Sequence, residues 1–177
     1  MRRRERFLQV EKYFAVLMAM TACAMVFAHG SNDVSLAVGP LSIVYSLVMH
    51  SHQPFGALDY PAWVTFLGCF GVVTGLLMYG RKVIETVGSS ITTLTPSRAF
   101  AATLAAATSV VVATSIGIPV SATQTLVGAV LGVGLARGIG ALNLIVIRNI
   151  FTSWILTLPA ASILTILSYK MIHAFIG

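Results

Sequence analysis

The chain has 177 residues, 57% of them hydrophobic and only 9% charged, with a mean hydropathy of +0.91. A soluble domain carries about 25% charged residues, so an ordinary soluble enzyme is excluded and the class is an all-α, polytopic membrane protein. The net charge of +6 does not mark a nucleic-acid groove: five of the eleven basic residues lie in "MRRRERFLQVEK" and the rest stand singly or as Arg81-Lys82, which suits topology signals better than phosphate tracking.

Residues 1–12 read as a basic cytoplasmic segment ahead of a transmembrane domain over 13–177. No small-residue cleavage site followed by a soluble domain is evident, so the first apolar run reads as a retained helix. Apolar runs cover 13–28, 31–49, 61–80, 99–116, 119–136 and 144–169. At roughly 20 residues per crossing, the length holds at most about six or seven.

Between the first two runs stands "AHGSNDVSLAVGP", Ala28 to Pro40. A continuous helix from 13 to 49 would measure about 55 Å, against a hydrocarbon core of about 30 Å. The sequence therefore predicts a broken or re-entrant helix interrupted at "HGSND". Charge counting agrees. If the two runs make one net crossing, ten of the eleven basic residues fall on the cytoplasmic side with the N-terminus, leaving only Lys170 opposite.

Asp33 is the only acidic residue inside an apolar run. A carboxylate there is expensive and points by default to a functional site; the plainer reading is a cap on the second half-helix. Ser31 and Asn32 would open that half-helix, where free N–H groups and the dipole favour an anion and side-chain oxygens can hold a hard cation. His29 reads as readily as a packing residue as a proton carrier.

The connection at 50–60 carries His50, His52 and Asp59, a weak metal pattern. Next, "RKVIETVGSSITTLTPSR" is predicted as a polar connection at the cytoplasmic surface, with Thr95 capping a helix that starts at Pro96. The other reading has Glu85, Thr86 and the Gly88–Ser90 turn lining an inner vestibule. In "SIGIPVSATQTLVG", Gly117 and Pro119 break the helix, and Ser121, Thr123, Gln124 and Thr125 follow on the first turn of a new one. Paired interruptions of this kind are the pattern of secondary transporters. Pro159 predicts a tilt or kink in the last run. Cys23 and Cys69 read as small core residues. Walker, nucleophile-elbow, H-E-x-x-H and paired-Cys patterns are all absent, so no enzyme is indicated.

With these residues in view, the chain resembles the C-terminal half of the inorganic phosphate transporter (PiT) family. "FAHGSNDVSLAVGPL" is similar to that family's G-(A/S)-N-D-V-A-N-A signature. "GRKVIETVGSSITTLTPSRAF", "SIGIPVSATQTLVGAVLGVG" and "RNIFTSWILTLPA" resemble its following stretches, in order. The resemblance implies one repeat of an inverted-repeat transporter fold and phosphate symport coupled to Na⁺ or H⁺, without catalytic residues or a resident cofactor. It places Ser31, Asn32 and Asp33 in one element of the site and Ser121, Thr123, Gln124 and Thr125 in the other, with Na⁺ at Asn32, Asp33 and Thr123. The charge count sets the N-terminus in the cytoplasm, and the expected location is a bacterial inner membrane.

Three positions depart from the family pattern. Leu36 stands where the signature has its second Asn, Ser121-Ala122-Thr123-Gln124 replaces Ser-Thr-Thr-His, and Ala99 replaces Gly. Because only one repeat is resembled, the expectation is a half-transporter, inactive alone, that needs a complementary N-terminal half or an oligomer. The alternatives left open are a sulfate or other oxyanion permease, and a non-transporting subunit or remnant of a disrupted transporter gene.

Overall fold

The computed structural model describes residues 2–49 and 61–176; His50, His52 and Asp59 lie outside the described residues. The chain divides into two compact units, Met1–Leu142 and Asn143–Gly177. Among the described residues there is no strand, only an isolated bridge between Thr92 and Leu142. Among the described residues, four helices are long and apolar enough to cross a membrane.

Helix α1 (Arg2–Met49) runs 48 residues without interruption. The predicted break at "HGSND" is not there, and with it goes the half-helix whose free N–H groups Ser31 and Asn32 were to open. Nothing in that stretch blocks the backbone ladder: Gly30 costs about 1 kcal/mol in a helix, and the polar residues keep their N–H donors. The side chains of His29, Asn32 and Asp33 find lateral partners instead, as when Asp33 Oδ2 meets His29 Nε2 one turn back at 2.7 Å. Apolar length limits the span rather than the helix, since a long helix can tilt or project beyond the core. Pro40 is the one proline inside α1, and it removes the N–H that the Leu36 carbonyl would accept.

Helix α2 (Ala62–Gly75) continues through a π turn (Leu76–Gly80), α3 (Arg81–Glu85) and a second π turn (Thr86–Ser90). The result is a 29-residue helical rod, Ala62–Ser90. The connection expected over 81–98 is thus helical for its first ten residues. Arg81 Nε pairs with Glu85 Oε1 at 2.9 Å one turn away, and the hydroxyls of Thr86 and Ser89 donate to the carbonyls of Lys82 and Glu85, so the polar side chains satisfy themselves on the helix. α2 runs antiparallel to α1. Tyr45 meets Trp63 edge-on at 6.1 Å, and Val38 packs so close to Gly68 that a Cβ there would lie 2.7 Å from its Cγ2.

Helix α4 (Pro96–Ser115) starts where expected. It lies parallel to α1, because Phe14 meets Phe100 at 5.6 Å, Thr21 shares a 2.7 Å hydrogen bond with Thr103, and Met25 and Ala28 join Ala106, Ala107 and Val110 in the core. Alanines along this seam let the backbones approach closely. The N-terminal cap is not Thr95, whose side chain makes no capping bond. Glu11 of α1 supplies it: Oε2 accepts from the Ser97 N–H at 2.9 Å and Oε1 from the Ser97 hydroxyl at 2.8 Å.

The break at "SIGIPVS" is present. The Ile118 N–H donates to the Ala113 carbonyl and the Gly117 N–H to that of Thr114, with Gly117 at φ +74. This is a Schellman stop, which needs the left-handed residue that glycine supplies. Pro119 then prevents the helix from resuming. Ser121 caps α5 (Ala122–Leu135) by accepting from the Gln124 N–H at 3.3 Å. Fourteen residues rise only about 21 Å, short of a full crossing, and α5 returns to the end where α4 began. There Arg137 donates to the carbonyl and hydroxyl of Thr93.

The second unit holds α6 (Leu144–Ile176), a 33-residue helix that continues through Pro159. Asn143 Oδ1 accepts from the Val146 N–H at its start. Thr152, Ser153, Thr157, Ser162 and Thr165 each donate to the carbonyl four residues back, which removes the cost of carrying hydroxyls in an apolar helix.

Candidate functional site

The parallel seam carries the hairpin tip, residues 116–121, to the level of Asn32. Asn32 is only 4% exposed. Its Nδ2 donates to the Val120 carbonyl at 2.8 Å and to Asp33 Oδ1 at 3.2 Å. On the other side, Asp33 Oδ2 lies 2.7 Å from His29 Nε2, and both side chains are about one-third exposed. The Asp33 carboxylate is therefore held between two neighbours but still open to a ligand.

That opening is a wide-mouthed cavity of about 630 Å³, lined by Asp33, Leu36, Ala37, Val72, Pro119, Val120, Ser121 and Thr123. Three elements build it: the middle of α1, the hairpin tip and α2. Of the residues singled out from the sequence, Asp33, Ser121 and Thr123 share its wall, and Asn32 ties the two polar segments together. Ser31, Gln124 and Thr125 are not on the wall. Ser31 is exposed, and Thr125 turns its hydroxyl to the Ser121 carbonyl at 2.9 Å. Leu36 contributes an apolar side chain where the resembled signature has an amide.

The chemistry of the wall has two halves. Asp33 offers carboxylate oxygens, and the Leu36 carbonyl has lost its usual donor to Pro40; hard cations take oxygen ligands of this kind. Opposite them, the first turn of α5 presents the hydroxyls of Ser121 and Thr123 and the positive end of a helix, which favours an anion. Among the described residues no three His, Cys, Asp or Glu side chains gather as a metal site, so a cation here would rest on one carboxylate plus neutral oxygens.

Sequence reasoning missed Val72, which comes from a neighbouring helix with no pattern to mark it. It also missed the Val120 carbonyl, because a backbone acceptor carries no residue signature. The capping role of Glu11 has no local signal either, since its partner lies 86 positions away.

Comparison with known proteins gives a consistent answer. The profile of the phosphate transporter family matches residues 1–165. A Haemophilus influenzae protein named "Putative phosphate permease" is 56% identical over 93% of this chain and 39% of its own length. The chloroplastic inorganic phosphate transporter 2-1 of Arabidopsis thaliana is 45% identical over 87% of this chain and 26% of its own. A solved structure, "The sodium-dependent phosphate transporter", superposes with a TM-score of 0.74 at 41% identity, covering 86% of this chain and 38% of that one. The chain thus spans about two-fifths or less of the relatives it matches. This protein belongs to the phosphate transporter family.

Proposed function

We propose that the α1 segment around Asn32-Asp33 and the Pro119–Thr123 tip form one repeat's share of a phosphate transport site, coupled to a cation. The observation that carries this reading is the one cavity lined both by Asp33 and by Ser121 and Thr123 at the start of α5. A phosphate drawn to that helix end meets the Asp33 charge. Repulsion between two such charges at 4 Å is about 4 kcal/mol at an effective dielectric constant near 20. A cation on Asp33 removes the repulsion, so anion and cation bind best together, which is symport in thermodynamic form.

Na⁺ is the favoured partner, on Asp33 and Thr123 with the Asn32 carbonyl oxygen nearby, in keeping with the sodium dependence of the solved relative. Because those relatives are more than twice as long, the site works together with the remaining sequence they carry, in the same chain or a separate one. The distribution of basic residues favours a cytoplasmic N-terminus.

The test is ³²P-phosphate uptake by vesicles holding this chain with and without the complementary repeat, under Na⁺, H⁺ or no gradient. Uptake driven by Na⁺ and abolished in Asp33→Asn is expected. Vesicles that move no phosphate under any gradient, with protein correctly inserted, would refute the reading. Uptake of sulfate in its place would reassign the anion.

A further inference from the structure

At the opposite end of the same unit lies a cluster that the cavity does not use. Arg137, just beyond α5, donates one guanidinium nitrogen to the Thr93 carbonyl at 3.1 Å and to its hydroxyl at 2.9 Å, with a longer contact to Thr92 Oγ1 at 3.4 Å. Arg98, on the first turn of α4, reaches the same Thr93 carbonyl at 3.4 Å. Two guanidinium groups thus converge on one neutral oxygen, at a threonine that is exposed. The nearby carboxylate of Glu11 has both oxygens engaged by Ser97, and it can balance only one of the two charges. Arg4 and Lys12 on the opening turns of α1 add positive charge at this end.

Like charges held together on neutral acceptors are an arrangement an anion would stabilise. Each guanidinium has five N–H donors, and here one nitrogen of each is engaged. The free donors, with the Thr93 hydroxyl, match the tetrahedral oxygens of a phosphate group, which Arg grips with two parallel hydrogen bonds. The cluster sits where apolar helices give way to polar turns, the depth at which lipid headgroups lie, and basic pockets between helix ends bind anionic headgroups.

We propose that Arg98, Arg137 and the Thr93 hydroxyl bind a phosphate group, carried by an anionic phospholipid or free in solution, at a site separate from the transport cavity. The test uses the full chain purified in detergent, with phosphatidylglycerol, phosphatidylcholine or inorganic phosphate added, reading bound ligand by native mass spectrometry and Tm. Phosphatidylglycerol should stay bound and raise Tm while phosphatidylcholine does neither. The Arg98→Gln/Arg137→Gln variant should lose about tenfold or more in affinity, as expected when charged hydrogen bonds go. Arg81→Gln/Lys82→Gln removes the same charge elsewhere and should bind as the unaltered chain does. Inorganic phosphate that binds only while Arg98 and Arg137 are present identifies the free anion as the source.

Arg137→Lys keeps the charge but loses the fork, so it remains informative if the double variant does not fold; its affinity should fall several-fold at unchanged Tm without ligand. Wild-type affinity in Arg137→Lys and in the double variant would overturn the proposal. So would an equal loss in the Arg81/Lys82 variant.

Discussion

Helix α1 carries two buried or half-buried carboxylates, and they serve opposite ends of one seam. Glu11 is 8% exposed, and Ser97 engages both of its oxygens. Asp33 is about one-third exposed, held by His29 and Asn32 but opening on a cavity. The first is sealed between two helices; the second is open on one side. Burial alone would rank Glu11 as the functional acid. Hydrogen-bond partners do not separate the two acids, since each has one on each oxygen; access does, and the difference teaches that an acid is available for transport only to the extent that its fold leaves it open to a ligand.

Asp33→Asn should break the comparison most. Uptake by the complete transporter should fall about 100-fold, the effect of losing roughly 2.7 kcal/mol of charged ligation, while Tm in detergent stays close to that of the parent. A parallel fall in Tm would mean that Asp33 is structural like Glu11. Asn32→Leu should follow, since it leaves the Val120 carbonyl without its donor, a cost of about 1–3 kcal/mol. Both Tm and uptake should drop, and a cysteine placed at Ser121, in a chain with Cys23 and Cys69 replaced, should become more reactive to a water-soluble thiol reagent.

Glu11→Ala should lower Tm by several degrees with little change in the phosphate affinity of the assembled protein; a large loss of affinity with normal Tm would erase the distinction between the two acids. Thr95→Ala should do least, under about 0.5 kcal/mol, because its hydroxyl makes no capping bond. A loss near 1 kcal/mol, the usual worth of an N-cap, would show that Thr95 shares the task with Glu11.

Much of this is readable in the residues. Gly117 and Pro119 are a stop signal with a backbone mechanism, and the start of α4 at Pro96 follows from the same rules. "HGSND" misleads because polar residues in an apolar run look like a break, whereas a helix accommodates them when each finds a partner on a neighbouring turn or helix. That pairing is tertiary: Asn32 meets Val120 across 88 positions. The rod through Ser90 misleads for a related reason, its Arg, Glu and Thr being satisfied one turn away. Asp33, Ser121 and Thr123 are legible as candidates, but their common wall requires knowing that α1 and α4 run parallel.

The cap that Glu11 lends to α4 also orders the chain in time. Helix α1 leaves the ribosome well before Ser97, so the carboxylate is in place when the α4 N-terminus emerges. The α4–α5 hairpin has close-range contacts of its own. What remains is a single docking event between a finished hairpin and a waiting helix, and only then are Asn32 and Val120 brought together. A defect at residue 11 should therefore surface first as slow or incomplete assembly during synthesis, before any deficit is seen in the mature protein.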